Sequence, residues 1–143
     1  MSFLLDTNVV AEWVKPRPDP GVITWLAGVD ESHVFLSVLT LAELRHGVER
    51  LAEGLRRRRL GSWLQHDLPL RFEGRLLSVD PVVADCWGTL MAQREAVGQP
   101  MGVIDGLIAA TARVHRLKLV TRNEADFVAA VVEIINPWSR QGA

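Results

Sequence analysis

Cysteine is nearly absent: Cys86 is the single thiol among 143 residues. One thiol excludes an intrachain disulfide and any zinc site built on several cysteines. The four histidines, His33, His46, His66 and His115, are scattered without ligand spacing. No stretch reaches the roughly 20 uncharged apolar residues that a membrane-spanning helix needs. Met1 to Asp6 lacks the basic segment and long apolar run of a secretion signal. A cytoplasmic protein without a membrane partner is therefore expected. Excess charge is also missing, with a net value of -1 at pH 7. No global field announces a partner for polyanions, so any such contact must rest on local basic patches. There is no internal repeat, low-complexity stretch or linker. No G-x-G-x-x-G follows a strand pattern, which speaks against a dinucleotide site.

What is present is one domain's worth of chain, 1–143, with 48% hydrophobic and 23% charged residues, enough for a substantial core. Phe3 to Leu5 is a short apolar run that fits a buried strand. Asp6, Thr7 and Asn8 are good helix caps, and Val9 to Val14 can start a helix that Pro16, Pro18 and Pro20 end. A second helix is expected over Pro20–Gly28. His33 to Ser37 reads as a strand covered on both faces. Leucines and valines at helical spacing predict a long helix from Thr40 towards His66. Further elements are expected as a strand over Arg75–Val79, a helix over Pro81–Val97 and a helix over Gly102–His115. A strand over Leu117–Thr121, a helix over Glu124–Ala130 and a strand over Val131–Ile135 complete the series. Strands alternating with helices imply βαβ units. The expected class is α/β: one three-layer α/β/α domain around a mainly parallel sheet.

Sites in open parallel sheets form beyond the carboxyl ends of the strands. Asp6 lies just after the first strand, and Asp126 follows the fourth. Glu43 comes six residues after the second, on the expected first turn of its helix. Asp105 sits near the start of an apolar helix. Four acids from distant sequence can thus meet at one edge. Two such charges about 4 Å apart repel by roughly 4 kcal/mol at an effective dielectric near 20. A hard divalent cation removes that repulsion and prefers oxygen ligands, and the lack of Cys or His partners fits it better than zinc. Each acid also has a plainer reading. Asp6 can simply cap a helix, Thr40-x-x-Glu43 matches a capping box, Asp105 suits a helix start, and Asp126 can face solvent. The joint placement of the four carries the argument.

The motifs that hold these acids resemble a known family. Leu4-Leu5-Asp6-Thr7-Asn8-Val9, Ser37-x-x-Thr40-x-x-Glu43-Leu44, Asp105-Gly106-Leu107-Ile108-Ala109-Ala110 and Leu119-Val120-Thr121-Arg122-Asn123-x-x-Asp126-Phe127 resemble, in order, the four motifs of PIN domains. Ile135-Asn136-Pro137-Trp138 is similar to the ending of one branch. The nearest likeness is to VapC and FitB-like toxins of type II toxin–antitoxin systems, and it covers nearly the whole chain. The resemblance implies a PIN fold and a Mg2+- or Mn2+-dependent endoribonuclease that leaves 5′-phosphate and 3′-hydroxyl ends. It implies Asp6, Glu43, Asp105 and Asp126 as catalytic acids, with Asp6 and Asp105 as metal ligands. Some relatives carry an acid where Asn123 stands, which leaves three roles open for Asp126: direct ligation, ligation through water, or none. Thr7, Asn8, Thr40, Thr121 and Asn123 would position the acids or the substrate phosphate. The implied partners are a VapB/FitA-like antitoxin, an RNA substrate and a second copy within a larger complex, with operator DNA held only through the antitoxin.

Arg56 to Arg59 is the densest basic run. It can bind phosphate by counterion release, but Glu49 and Glu53 dilute it, and a solvated helix segment is the better reading. Arg45 and Arg122 stand nearer the acids and are the candidates for RNA phosphate. The five tryptophans, Trp13, Trp25, Trp63, Trp87 and Trp138, read as packing residues rather than base-stacking platforms. Two other functions compete: a catalytically inactive PIN-like binding module, and a phosphoacceptor domain. The second would need an acid adjacent to Asp6 and an aspartate after the third strand. The sequence supplies only Asp80, just before Pro81.

Overall fold

The strands alternate between two cores, and that alternation sets the layers. In the computed structural model, which describes residues 1–127 and 132–138, Phe3–Leu5 forms β1 and all three residues are buried. Phe3 and Leu5 point into one apolar cluster and Leu4 into the other. β2 (Val34–Ser37) divides in the same way, with Val34 and Leu36 on the first side and Phe35 on the second. β3 (Leu76–Leu77), β4 (Lys118–Val120) and β5 (Ile134–Ile135) complete a five-stranded sheet of order β3-β2-β1-β4-β5, parallel at every pairing. The expected α/β class with a parallel sheet is borne out.

The first face is covered by α1 (Thr7–Glu12), α2 (Pro20–Gly28), α3 (Val38–Glu49), α4 (Leu55–Ser62) and α5 (Leu68–Arg71), the last two joined by a π-helical turn at Trp63–Asp67. The second is covered by α6 (Pro81–Ala96), α7 (Val103–His115) and α8 (Glu124–Phe127). Local chemistry starts these helices. Asp19 accepts from the backbone N–H groups of Gly21 and Val22 with Pro20 at the first helical position, and Asp80 accepts from Val83 N ahead of Pro81. Asp80 is therefore occupied as a cap. The tryptophans pack as expected. Trp25 meets Phe3 edge-on at 5.1 Å, Trp13 lies 6.0 Å from Phe72, and Trp63 and Trp138 flank the first core.

Three expectations need correction. The long helix from Thr40 to His66 is broken: α3 ends at Glu49, and α4 starts after Gly54, whose φ of +154° is strained for other residues. Leu55, read as part of the apolar stripe, is 54% exposed. The helix also begins earlier, because Ser37 Oγ accepts from Leu39 N as its cap. Thr40-x-x-Glu43 is therefore no capping box, and Glu43 lies on the second turn. Finally, the expected first helix ends sooner, at Glu12, and the third to fifth strands are shorter than their apolar runs. Residues 128–131, which include the end of the expected Glu124–Ala130 helix and the start of the expected last strand, lie outside the described residues.

Candidate active site

The strand order reverses direction at β1, whose neighbours β2 and β4 lead to opposite edges. Chains leaving β1 and β4 part at this point and leave a crevice, the usual ligand position in such sheets. Asp6 follows β1 here and is only 5% exposed. Its backbone N–H continues the ladder to Val120 O at 2.9 Å. Its carboxylate is held at both oxygens: Thr7 N donates to Oδ1 at 2.7 Å and Thr121 Oγ1 to Oδ2 at 2.8 Å. Thr121 Oγ1 in turn accepts from Asn123 N at 3.0 Å and from Asn8 Nδ2 at 3.5 Å. Asn8 Oδ1 accepts from Arg122 N at 3.5 Å. The ends of β1 and β4 are thus stitched together by the side chains around Asp6.

A second set of bonds joins β1 to α3. Thr7 Oγ1 donates to Glu43 Oε1 at 2.5 Å and lies 3.4 Å from the buried Thr40 Oγ1. Seven of the residues singled out in the sequence, Asp6, Thr7, Asn8, Thr40, Glu43, Thr121 and Asn123, therefore belong to one hydrogen-bonded network. Asp105, on the first turn of α7, and Asp126, on α8, line one cavity of about 390 Å³ with Arg94, Gln99, Met101 and Gly102.

Electrostatics couples the two groups of acids. Burial is the main cause raising the Asp6 carboxyl above its ordinary value. Thr121 and Thr7 pull it back by bonding the charged form, and the charges of Glu43 and Asp126 push it up again. Asp105 is pushed up to about 6, first by burial and then by Asp6, Asp126 and Glu43. Asp6 and Asp105 therefore both feel the charges of Glu43 and Asp126. Among the described residues, no Lys, Arg or His forms an ion pair with any of them. Nor do any three His, Cys, Asp or Glu side chains there form a ready-made metal cage. Mutually repelling carboxylates without a closed cage fit a hard cation that keeps much of its water, as Mg2+ does, and do not fit zinc.

The basic candidates separate. Arg122 is beside the site through its backbone N–H, while its guanidinium lies 5.6 Å from the Trp138 ring. Arg45 reaches along α3 to Glu49 at 3.3 Å and is not brought to the acids. In the basic run, Arg57 is paired with Glu49 at 2.5 Å and Glu53 at 3.1 Å. Because α4 starts at Leu55, this run lies at a helix beginning, where the dipole disfavours cations, and not at the late position expected. The sequence reading missed Glu12, a 3% exposed carboxylate that pairs with Lys15 and accepts from Asp19 N at 2.8 Å. It fastens the turn between α1 and α2. Trp87, read as a packing residue, also donates its Nε1 to Val103 O at 3.2 Å and pins the start of α7.

A family model for the PIN domain matches residues 3–131. The chain belongs to the PIN-domain family. Among its relatives in that family is Toxin FitB of Neisseria gonorrhoeae, 38% identical over 95% of this chain and 98% of that protein. VapC ribonuclease Y4jK of Sinorhizobium fredii is also 38% identical, over 95% of this chain and 97% of its own length. A solved structure of FitAB bound to an IR36 DNA fragment contains a chain that superposes with a TM-score of 0.90 at 35% identity, covering 97% of each chain. The expected likeness to FitB and VapC toxins is borne out. In this PIN domain, the four sequence motifs become the network around Asp6 and the acid-lined cavity beside Asp105.

Proposed function

We propose that this PIN domain is the toxin of a type II toxin–antitoxin pair and cuts RNA phosphodiester bonds in the presence of Mg2+ or Mn2+. The observation that carries the reading is the meeting of Asp6, Glu43, Asp105 and Asp126 at the sheet's switch point without a basic ion-pair partner among the described residues. Asp6 and Asp105 would hold the cation. When bound, it supplies positive charge that offsets the carboxylates and stabilises a phosphoryl transition state. Thr7 N and Thr121 Oγ1 fix the plane of the Asp6 carboxylate, and Thr7 Oγ1 fixes Glu43. Asp126, exposed and lining the cavity, would accept a proton from attacking water. The water oxygen bonds to phosphorus as the P–O3′ bond breaks, and the departing 3′ oxygen takes a proton from solvent, giving a 5′-phosphate and a 3′-hydroxyl.

The similarity to FitB and to a VapC ribonuclease supports the substrate class. The naming of a FitAB assembly on DNA supports an antitoxin partner, with DNA contacted through the antitoxin. A toxin dimer inside such an assembly and a cytoplasmic location belong to the same reading. No helix among the described residues is long and apolar enough to cross a membrane. The test uses the chain purified free of antitoxin and offered folded RNAs with Mg2+. Cleavage should disappear in EDTA and fall at least about 100-fold in Asp6→Asn and Asp105→Asn. Variants as active as the parent would refute the site. A parent that binds metal and partner yet never cuts would instead be an inactive binding module.

A further inference from the structure

The cavity beside Asp105 is also lined by Arg94 at the end of α6 and by the residues that follow it. That wall of the cavity is built by backbone geometry. Gly98 adopts a left-handed conformation, φ +73°, and its N–H bonds to Glu95 O at 3.0 Å. Gln99 N bonds back to Arg94 O at 2.9 Å. These two bonds are the glycine-terminated helix stop that fixes the chain direction after a C-terminus. The stop places the Gln99 side chain beside Arg94, whose Nη2 donates to Gln99 Oε1. Pro100 and Met101 continue the wall, and Gly102, Ala125 and Asp126 close the 390 Å³ cavity around Asp105.

The lining combines three chemistries: the carboxylates of Asp105 and Asp126, the guanidinium of Arg94 bonded to the Gln99 side-chain amide, and the apolar Pro100 and Met101. A cation held by the carboxylates leaves the guanidinium and amide suited to an anion with a flat apolar group attached. A nucleotide has that composition, and a planar guanidinium matches the phosphate oxygens. We propose that Arg94 and Gln99 form a subsite for the RNA nucleotide that flanks the scissile bond. Arg94 binds its phosphate, and Pro100 and Met101 support its base. This inference rests on the ribonuclease reading for its substrate and identifies a contact that none of the four acidic motifs contains.

The test measures steady-state cleavage of a fluorescent RNA and, in an Asp6→Asn background, RNA affinity by anisotropy across a salt series. The chains compared are the parent, Arg94→Ala, Arg94→Lys and the exposed Gln99→Ala, each checked for an unchanged melting profile. Arg94→Ala should raise KM about 10- to 100-fold with kcat nearly unchanged. It should also lower the slope of log affinity against log salt by about 0.7, the value for one lost phosphate contact on a single strand. Arg94→Lys should restore the salt slope but only part of the KM, and Gln99→Ala should raise KM several-fold. A parent-like KM and salt slope in folded Arg94→Ala, with the parent cleaving normally, overturns the subsite and leaves the ribonuclease reading intact. A parent that never cleaves but binds RNA with an Arg94-dependent slope removes that reading and keeps the subsite. If Gln99→Ala loses Mn2+ affinity instead of RNA affinity, the wall serves the metal and the subsite is overturned.

Discussion

Replacing Asp105 by Asn should make the metal-free protein more stable while abolishing its response to metal. The Asp105 carboxyl lies at about 6 in the folded protein, against an ordinary value of 3.8. Between those values the folded state holds a proton that the unfolded chain has released. Stability therefore falls as pH rises through that window; the loss is complete above about pH 6 and absent below the ordinary value. Taken in full, a shift of about two units corresponds to roughly 3 kcal/mol. Asp105 is only half-buried, so solvent screening reduces this to about 1 kcal/mol. Asparagine carries no charge for Asp6, Asp126 and Glu43 to repel. In EDTA at pH 7.5, Asp105→Asn should melt about 3–4 °C above the parent for a chain of this length, and the gap should close towards pH 4. In Mg2+ the order should reverse, because only the parent gains binding energy, about 2.7 kcal/mol at a hundredfold excess over Kd. Thermal melts from pH 4 to 8, with EDTA and with Mg2+, read both effects. A variant that melts at or below the parent at pH 7.5 in EDTA would show that the acids do not repel one another as described.

Two further substitutions probe the frame of the site. Thr121→Val keeps the shape but removes the hydroxyl that bonds Asp6 Oδ2 and accepts from Asn123 N; calorimetry should show metal affinity down about 10- to 100-fold, with unfolding easier by roughly 1–3 kcal/mol in denaturant titrations. Thr121→Ser should recover most of both. Gly106→Ala places a methyl 2.7 Å from Met91 Sδ and 3.0 Å from Trp87 Nε1, so α6 and α7 must separate or Met91 must turn, at a cost of about 1–3 kcal/mol. Because Gly106 adjoins Asp105, cleavage should fall with it, and activity equal to the parent's at full stability would mean that the helix contact does not set the acid's position.

The parts of the fold that were legible in the sequence are those fixed by local pattern. Phe3 to Leu5 and Val34 to Leu36 announced buried strands, and Pro20 and Pro81 announced the starts of α2 and α6. The four acids were legible because each follows a strand or opens a helix within a recognisable motif. What escaped depended on contacts distant in sequence or on a change of backbone direction. Leucine spacing alone could not reveal that Gly54 breaks the helix and turns Leu55 outwards. Thr40 and Ser37 are both able caps, and only the extended backbone at Ser37 decides between them. Asn8 and Thr121 are 113 residues apart, so their bond could not be read from spacing. The Arg94–Gln99 wall depends on the left-handed turn at Gly98, which a glycine near a helix end permits without specifying what it will face.

The bond between Thr121 and Asp6 spans 115 residues, and this bears on the ribosome that makes the protein. At roughly 5–20 residues per second, about 6 to 23 seconds separate synthesis of the two partners. Throughout that interval the nascent chain carries Asp6, and for most of it Glu43, but lacks the threonine that orients Asp6. That bond can form only once β4 has been made and paired with β1. The frame around Asp6 is therefore completed by one of the last strands to leave the ribosome.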